Sequence, residues 1–155
     1  MSEWRNNFKG ISYFDEDLNA ILYGAVDDVL EFSDKSLAVI DYKSSGSKEI
    51  TIYDDYRKQM DIYTHILNLL GFETQSHAYF VFYQVQKDGG GFQNSLPFKE
   101  MLKRVDVNPG WVSDVFERAV QTARQENPPI NQNHCDHCHY VEMASQYKSI
   151  PDLNI

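Results

Sequence analysis

A chain of 155 residues with 42% hydrophobic and 14% aromatic content has the composition of a globular protein, not a disordered one, and is most simply a single domain over 1–155. Its formal net charge of −9 argues against a protein that grips nucleic acid through an overall basic surface, so contact with a polyanion must come from a local cluster of cations or through bound metal. No apolar run approaches the roughly 20 residues of a membrane span. The opening MSEWRNNFKG lacks the apolar core of a signal peptide, and two cysteines three residues apart cannot build a disulfide framework, so a cytoplasmic, reduced setting is expected.

In chain order, ISYF (11–14) and LNAILYGAVDDVLEF (18–32) are rich in β-branched and aromatic residues and read as strands. Ser33-Asp34-Lys35 is a polar turn, SLAVIDYK (36–43) a further strand and SSGSKE (44–49) a loop. From about Thr51 to Leu70, Tyr53, Tyr56, Met60, Tyr63, Leu67 and Leu70 recur every three or four residues, the mark of an amphipathic helix that Gly71 is placed to cap. SHAYFVFYQVQ (76–86) is a strand running into the DGGG turn, with a hairpin partner expected within 92–107. WVSDVFERAVQTARQ (111–125) reads as a second helix stopped by Pro128-Pro129, and a polar Cys/His-containing tail occupies about 127–155. Strands followed by helix, strand and helix predict a mixed α/β domain with a central sheet.

The stretch GAVDDVLEFSDKSLAVIDYK (24–43) places aspartates on an otherwise apolar hairpin. With a three-residue turn at 33–35, antiparallel partners sum to 68, so Asp27 faces Asp41 on one side of the sheet with Lys43 beside them, and Asp28 points the other way. Paired carboxylates repel unless neutralised, and their oxygens suit Mg²⁺ or Mn²⁺. Lys43 there could polarise a phosphate, stabilise developing charge or help deprotonate a water, which is equipment for metal-assisted phosphodiester hydrolysis. The same spacing also fits acids on the solvated face of an edge hairpin, with Lys43 as their ion-pair partner.

Three ordered motifs lie between residues 24 and 63: Gly24-Ala25-Val26-Asp27, the apolar strand VIDYK ending Asp41-Tyr42-Lys43, and Gln59-Met60-Asp61-Ile62-Tyr63. In these the chain resembles the PD-(D/E)XK nuclease superfamily, in particular its RecB-like branch with the CRISPR-associated exonucleases. The resemblance implies a restriction-endonuclease-like core, a mixed sheet flanked by helices. It implies that Asp27 and Asp41 hold Mg²⁺ or Mn²⁺, that the backbone carbonyl of Tyr42 completes the metal shell, and that Lys43 is catalytic. Gln59 and Tyr63, one helical turn apart, would orient DNA or brace the site; Tyr63 also fits the apolar stripe of its helix. Lys48, Arg57 and Lys58 flank the motifs and could supply local positive charge. Relatives often carry a further acidic or histidine ligand on an upstream helix, whereas the 23 residues before Gly24 read as strand and loop, with Asp15 and Glu16 the nearest candidates.

Relatives also often end in a cysteine-rich segment holding a four-iron cluster. Cys135 and Cys138 in NHCDHCHY match its C-x-x-C part, but with no other cysteine in the chain a four-cysteine cluster is not expected. His134, His137 and His139 could join them in a Cys₂His₂ zinc site, although neighbouring ligands rarely converge on one ion. The literal haem-attachment pattern CDHCH needs an export route, and a simple polar C-terminal loop accounts for the segment equally well.

The leading expectation is a metal-dependent deoxyribonuclease of exonuclease type, working in DNA repair, recombination or defence. The alternative is a weak or inactive nuclease-fold module that binds DNA or protein within a helicase- or recombination-type complex. Assembly as a homo-oligomer fits either.

Overall fold

The computed structural model describes residues 3–6, 8–87, 94–127, 129–130 and 135–147. The chain divides into two compact units, Met1–Val120 and Gln121–Ile155. The first contains two sheets. Strands β1 (Ile11–Asp15) and β2 (Ala20–Gly24) pair antiparallel as a two-stranded hairpin. Strands β3 (Asp28–Glu31), β4 (Leu37–Ser45), β5 (His77–Val85) and β6 (Phe98–Asp106) form a mixed sheet in the order β3-β4-β5-β6. Its central pair, β4 and β5, is parallel and is joined by helix α1 (Asp54–Leu69), the crossover that parallel strands require. A 3₁₀ turn at Pro109–Trp111 leads into helix α2 (Val112–Ala123), and helix α3 (Asp136–Tyr147) lies in the second unit. Among the described residues no helix is long and apolar enough to cross a membrane.

The hairpin register follows from its turn. Phe32 N–H donates to Ser36 O at 2.9 Å and Lys35 N–H to Phe32 O at 2.9 Å, while Lys35 takes the left-handed conformation at φ 72°. Asp34 Oδ1 accepts from both the backbone N–H and the hydroxyl of Ser36. This three-residue loop sets Asp28 against Ile40, Val29 against Val39 and Glu31 against Leu37. The partner sum is the expected 68.

The expected single strand over 18–32 is instead two strands in different sheets, separated at Ala25–Asp27. Composition hides the break because both halves are rich in β-formers. Packing reveals it: a Cβ added at Gly24 would stand 2.5 Å from Cε1 of Tyr63. Only a residue without a side chain lets β2 end against that ring.

Helix α1 begins at Asp54 and ends in a Schellman arrangement, with Phe72 N–H donating to Leu67 O and Gly71 N–H to Asn68 O, both at 3.0 Å. Gly71 supplies the φ of 86° that this cap needs. Met60, Ile66 and Leu67 are wholly buried and pack with Phe80, Phe82, Val39, Ala78, Val105 and Ile11 in one core. The two ends of the expected apolar stripe depart from it. Tyr53 precedes the helix and Leu70 follows its last turn, and both are exposed.

Pro128 and the DGGG turn lie outside the described residues. Helix α2 stops at Ala123, ahead of the prolines. The tail is not only a polar loop, because Asp136–Tyr147 is helical. Cys135 stands just before that helix, and its Sγ accepts the N–H of Cys138 at 3.4 Å, satisfying a donor that a helix N-terminus leaves orphaned.

Candidate active site

The residues of the three motifs meet on the face of the sheet that α1 covers. Register fixes the side-chain directions. Asp41 pairs with Phe80 and Lys43 with Phe82, so both project with the core phenylalanines toward α1. Asp41 is 2% exposed. Its Oδ1 accepts from Gln59 Nε2 at 3.0 Å. Its buried Oδ2 lies 2.7 Å from Lys43 Nζ and meets no other polar partner among the described residues. One carboxylate oxygen therefore depends on a single cation.

Gln59 connects the group. Its Oε1 accepts from Lys43 Nζ at 3.1 Å, and its Nε2 also donates to the Tyr63 hydroxyl at 3.0 Å. The Lys43 ammonium is further fixed over the Tyr56 ring, 4.8 Å from the centroid. Gly24 lets the Tyr63 ring lie against the end of β2, so the first motif glycine supports the third motif tyrosine. A methyl at position 24 must push that ring away. We expect Gly24→Ala to cost about 1–3 kcal/mol of stability by overpacking. Urea denaturation should show the loss, together with a weaker active site than in the wild type.

Asp27 precedes β3 and sits on irregular backbone. Its Oδ2 accepts from the backbone N–H of Tyr42 at 2.9 Å, which turns the carboxylate toward the strand that carries Asp41. In a strand the N–H and C=O of one residue point to the same side, so the Tyr42 carbonyl projects from this same edge, beyond the end of β3.

Burial is the largest influence on Asp41 and lifts its carboxyl above the usual carboxylate range. The Lys43 ammonium pulls it down by less, the Asp27 charge adds to the lift, and the Gln59 hydrogen bond opposes it. Burial likewise raises the Tyr63 hydroxyl. The Asp27 charge opposes ionisation of Asp41, whose buried Oδ2 has Lys43 as its one polar neighbour among the described residues, and two such carboxylates form a donor set suited to a hard divalent cation.

Asp28 does point away. It pairs with Arg5 and accepts from the Tyr42 hydroxyl at 3.4 Å on the opposite face. Partial burial pushes its carboxyl up, but Arg5, the Val29 N–H and Tyr42 together outweigh this and leave it below the usual range. The two adjacent aspartates thus have separate surroundings.

The other sequence candidates lie apart from this cluster. Lys48 is exposed in the loop after β4, and Arg57 is exposed on α1. Lys58 pairs with Asp55 at 3.2 Å. Asp15 is occupied by its own turn, accepting from Leu18 N–H at 2.9 Å, and Glu16 is exposed. In the tail, His134 lies outside the described residues and His139 is exposed. The Cys138 N–H is the main cause holding the Cys135 thiol below its usual range. Among the described residues no three His, Cys, Asp or Glu side chains are placed to hold a metal together, either here or in the tail.

Sequence reasoning missed Asp61, which lies within the third motif. It is 9% exposed, accepting from Asn108 N–H and from Trp111 Nε1, each at 2.8 Å. It anchors the segment after β6 to α1. An acidic residue at a buried helix position was the available signal.

No curated protein and no solved structure matches the chain significantly. A family model of the PD-(D/E)XK nuclease superfamily, whose members generally use divalent metals, matches residues 2–143 and so spans the sheet, α1 and most of α3. With Gly24, Asp27, Asp41, Lys43, Gln59 and Tyr63 standing in motif order, the chain belongs to the PD-(D/E)XK nuclease superfamily.

Proposed function

We propose that the chain is a divalent-metal-dependent deoxyribonuclease that hydrolyses DNA phosphodiester bonds, exonuclease-like and cytoplasmic, serving repair, recombination or defence. The observation that carries this reading is the buried Asp41 carboxylate, raised by burial and by the Asp27 charge, with Oδ2 paired to Lys43 and to no other polar group among the described residues. In it, Asp27, Asp41 and the Tyr42 carbonyl hold Mg²⁺ or Mn²⁺. The ion, when bound, supplies a Lewis acid for the scissile phosphate and makes water more acidic.

The chain's own groups do the rest. Lys43, fixed by Gln59 and the Tyr56 ring, offers a preorganised cation to the negative charge that grows on the phosphate, with little reorganisation during reaction. Gln59 holds Asp41 and Lys43 in register, and Tyr63 holds Gln59. The exonuclease preference rests on the Gln-x-x-x-Tyr resemblance.

A second reading, a nuclease-fold module that binds without cutting, is favoured by one observation: no third His, Cys, Asp or Glu among the described residues joins Asp27 and Asp41. Incubation with end-labelled linear and circular DNA in Mg²⁺ or Mn²⁺ separates the two. The nuclease reading expects degradation of at least one substrate. It also expects Lys43→Met to slow this by about 10²–10³-fold, with metal binding and Tm retained. A wild type that binds DNA yet cuts nothing under either ion leaves the binding module.

A further inference from the structure

Beyond Asp41 and Lys43, β4 runs on to Ser45 and then into the loop that carries Lys48, next to the end of β5. A cleft of about 250 Å³ opens there, lined by Gly46, Ser47, Lys48, Gln84, Gln86 and Lys87, with no carboxylate among the described residues of its wall. Its floor is built. Gln84 projects from β5 on the same face as Asp41 and Lys43, is 9% exposed, and donates both amide hydrogens to the loop, to Ser47 O and Lys48 O at 2.7 Å each. Lys87 brings its Nζ so close over Gly46 that an added Cβ would lie 3.0 Å from it.

Most basic side chains of this acidic chain that have a described partner are matched by acids: Arg5 with Asp28, Lys9 with Glu3, Lys35 with Glu31, Lys43 with Asp41 and Lys58 with Asp55. Lys48 and Lys87 differ. Among the described residues neither has a carboxylate partner, and both line one cleft. Lys99 faces the same side from β6 as the register partner of Gln84. Cations gathered without counter-charge define a place for an anion.

Resting on the nuclease reading, we propose that this cleft is a subsite for a backbone phosphate of the nucleic-acid substrate. Lys48 and Lys87 hold the phosphate, and Gln84 is a positioning residue that pins the loop. Lys43 and Gly46 are three residue steps apart, about 10 Å along a strand, or about three base steps at the 3.4 Å advance of one DNA strand. The subsite thus grips the strand a short distance from the bond that is cut. A positive local track inside a chain of net charge −9 also restricts where a polyanion can lie.

The test is the salt dependence of binding. A labelled oligonucleotide is titrated against the Asp41→Asn variant, expected to bind without cutting, over a salt series. Adding Lys48→Gln and Lys87→Gln should reduce the slope of log K against log salt by about 1.4–1.8, the share of two phosphate contacts. Lys87→Glu alone should weaken binding more than Lys87→Gln. Lys35→Gln, in the turn at the opposite end of β4, should leave the slope unchanged. With the active site intact, the double lysine variant should raise KM for long DNA and leave kcat unaltered. An unchanged slope, or an equal drop from Lys35→Gln, overturns the subsite while the nuclease reading stands. A wild type that neither binds nor cuts DNA overturns both.

Discussion

Replacing Asp41 with asparagine is expected to abolish DNA cleavage and to remove a pH dependence from the stability of the metal-free protein. The first effect follows from its proposed role: a neutral amide is a poor ligand for a hard cation. Loss of several kcal/mol of transition-state stabilisation lowers the rate by about 10³-fold or more. The second follows from burial. Because the folded state raises the Asp41 carboxyl, it binds an extra proton at pH values between the unfolded and folded pKa. Stability therefore falls as pH rises through that interval, and at neutral pH the fold carries the cost of an ionised, desolvated carboxylate. Asparagine removes the charge and still offers Oδ1 to Gln59, but it turns an amide NH₂ toward the Lys43 ammonium, so the slope of stability against pH is what separates the two proteins. Calorimetry in EDTA across that interval should show the wild type losing stability as pH rises and the variant lacking that dependence. Mg²⁺ should raise the Tm of the wild type and not that of the variant. A metal-free wild type whose stability does not fall as pH rises through that interval would remove the argument that Asp41 is held there against its own preference. Activity should also fade on acidification at a higher pH than an ordinary carboxylate would dictate, since metal and proton compete for the same oxygens.

Asp61→Ala is expected to give the largest loss of stability. Two donors in half-buried hydrogen bonds, the Asn108 N–H and the Trp111 indole N–H, depend on that one buried carboxylate. Leaving both unpaired costs about 2–4 kcal/mol, from a total of about 5–15 kcal/mol for such a domain. The corresponding fall in Tm is about 5–15 °C. Asp61→Asn, which keeps two polar atoms in place, should recover part of it. Well below the melting range, cleavage by Asp61→Ala should stay near the wild-type rate, because the carboxylate faces the 3₁₀ turn and not Gln59. A large kcat loss at low temperature would show that Asp61 also shapes the site.

The hairpin was the most legible part of the molecule. Its three-residue turn forces the register, and the register puts Asp28 on the face opposite Asp41; Asp27 lies just outside the ladder, not paired with Asp41 as expected, and is turned toward β4 by the Tyr42 N–H. Helix α1 was legible from its periodicity and its glycine cap. The break at Ala25–Asp27 was not, because Ala20–Gly24 and Asp28–Glu31 have the same β-forming character; only the Tyr63 ring against Gly24, a contact 39 positions away in sequence, requires it. Asp61 escaped notice because one acid among helix-forming residues ordinarily faces water, and its partners lie 47 and 50 residues downstream. The cleft at Lys48 and Lys87 was half visible. Lys48 follows the motif strand directly, whereas Lys87 reaches it only through the parallel pairing of β4 with β5.

Asp27 has a second part to play in the sheet. In the alternation of this hairpin, Phe32 with Ser36 and Asp28 with Ile40 are hydrogen-bonded pairs, so a continuing ladder would match the Tyr42 N–H with the carbonyl of Val26. The chain leaves the ladder one residue earlier, and the Asp27 carboxylate takes the donor instead. A side chain thus ends β3 and occupies the margin of β4 where a foreign strand would otherwise dock. The acid proposed to hold the cation also closes the ladder, and Asp27→Ala is expected to leave the Tyr42 N–H open at the margin of the sheet.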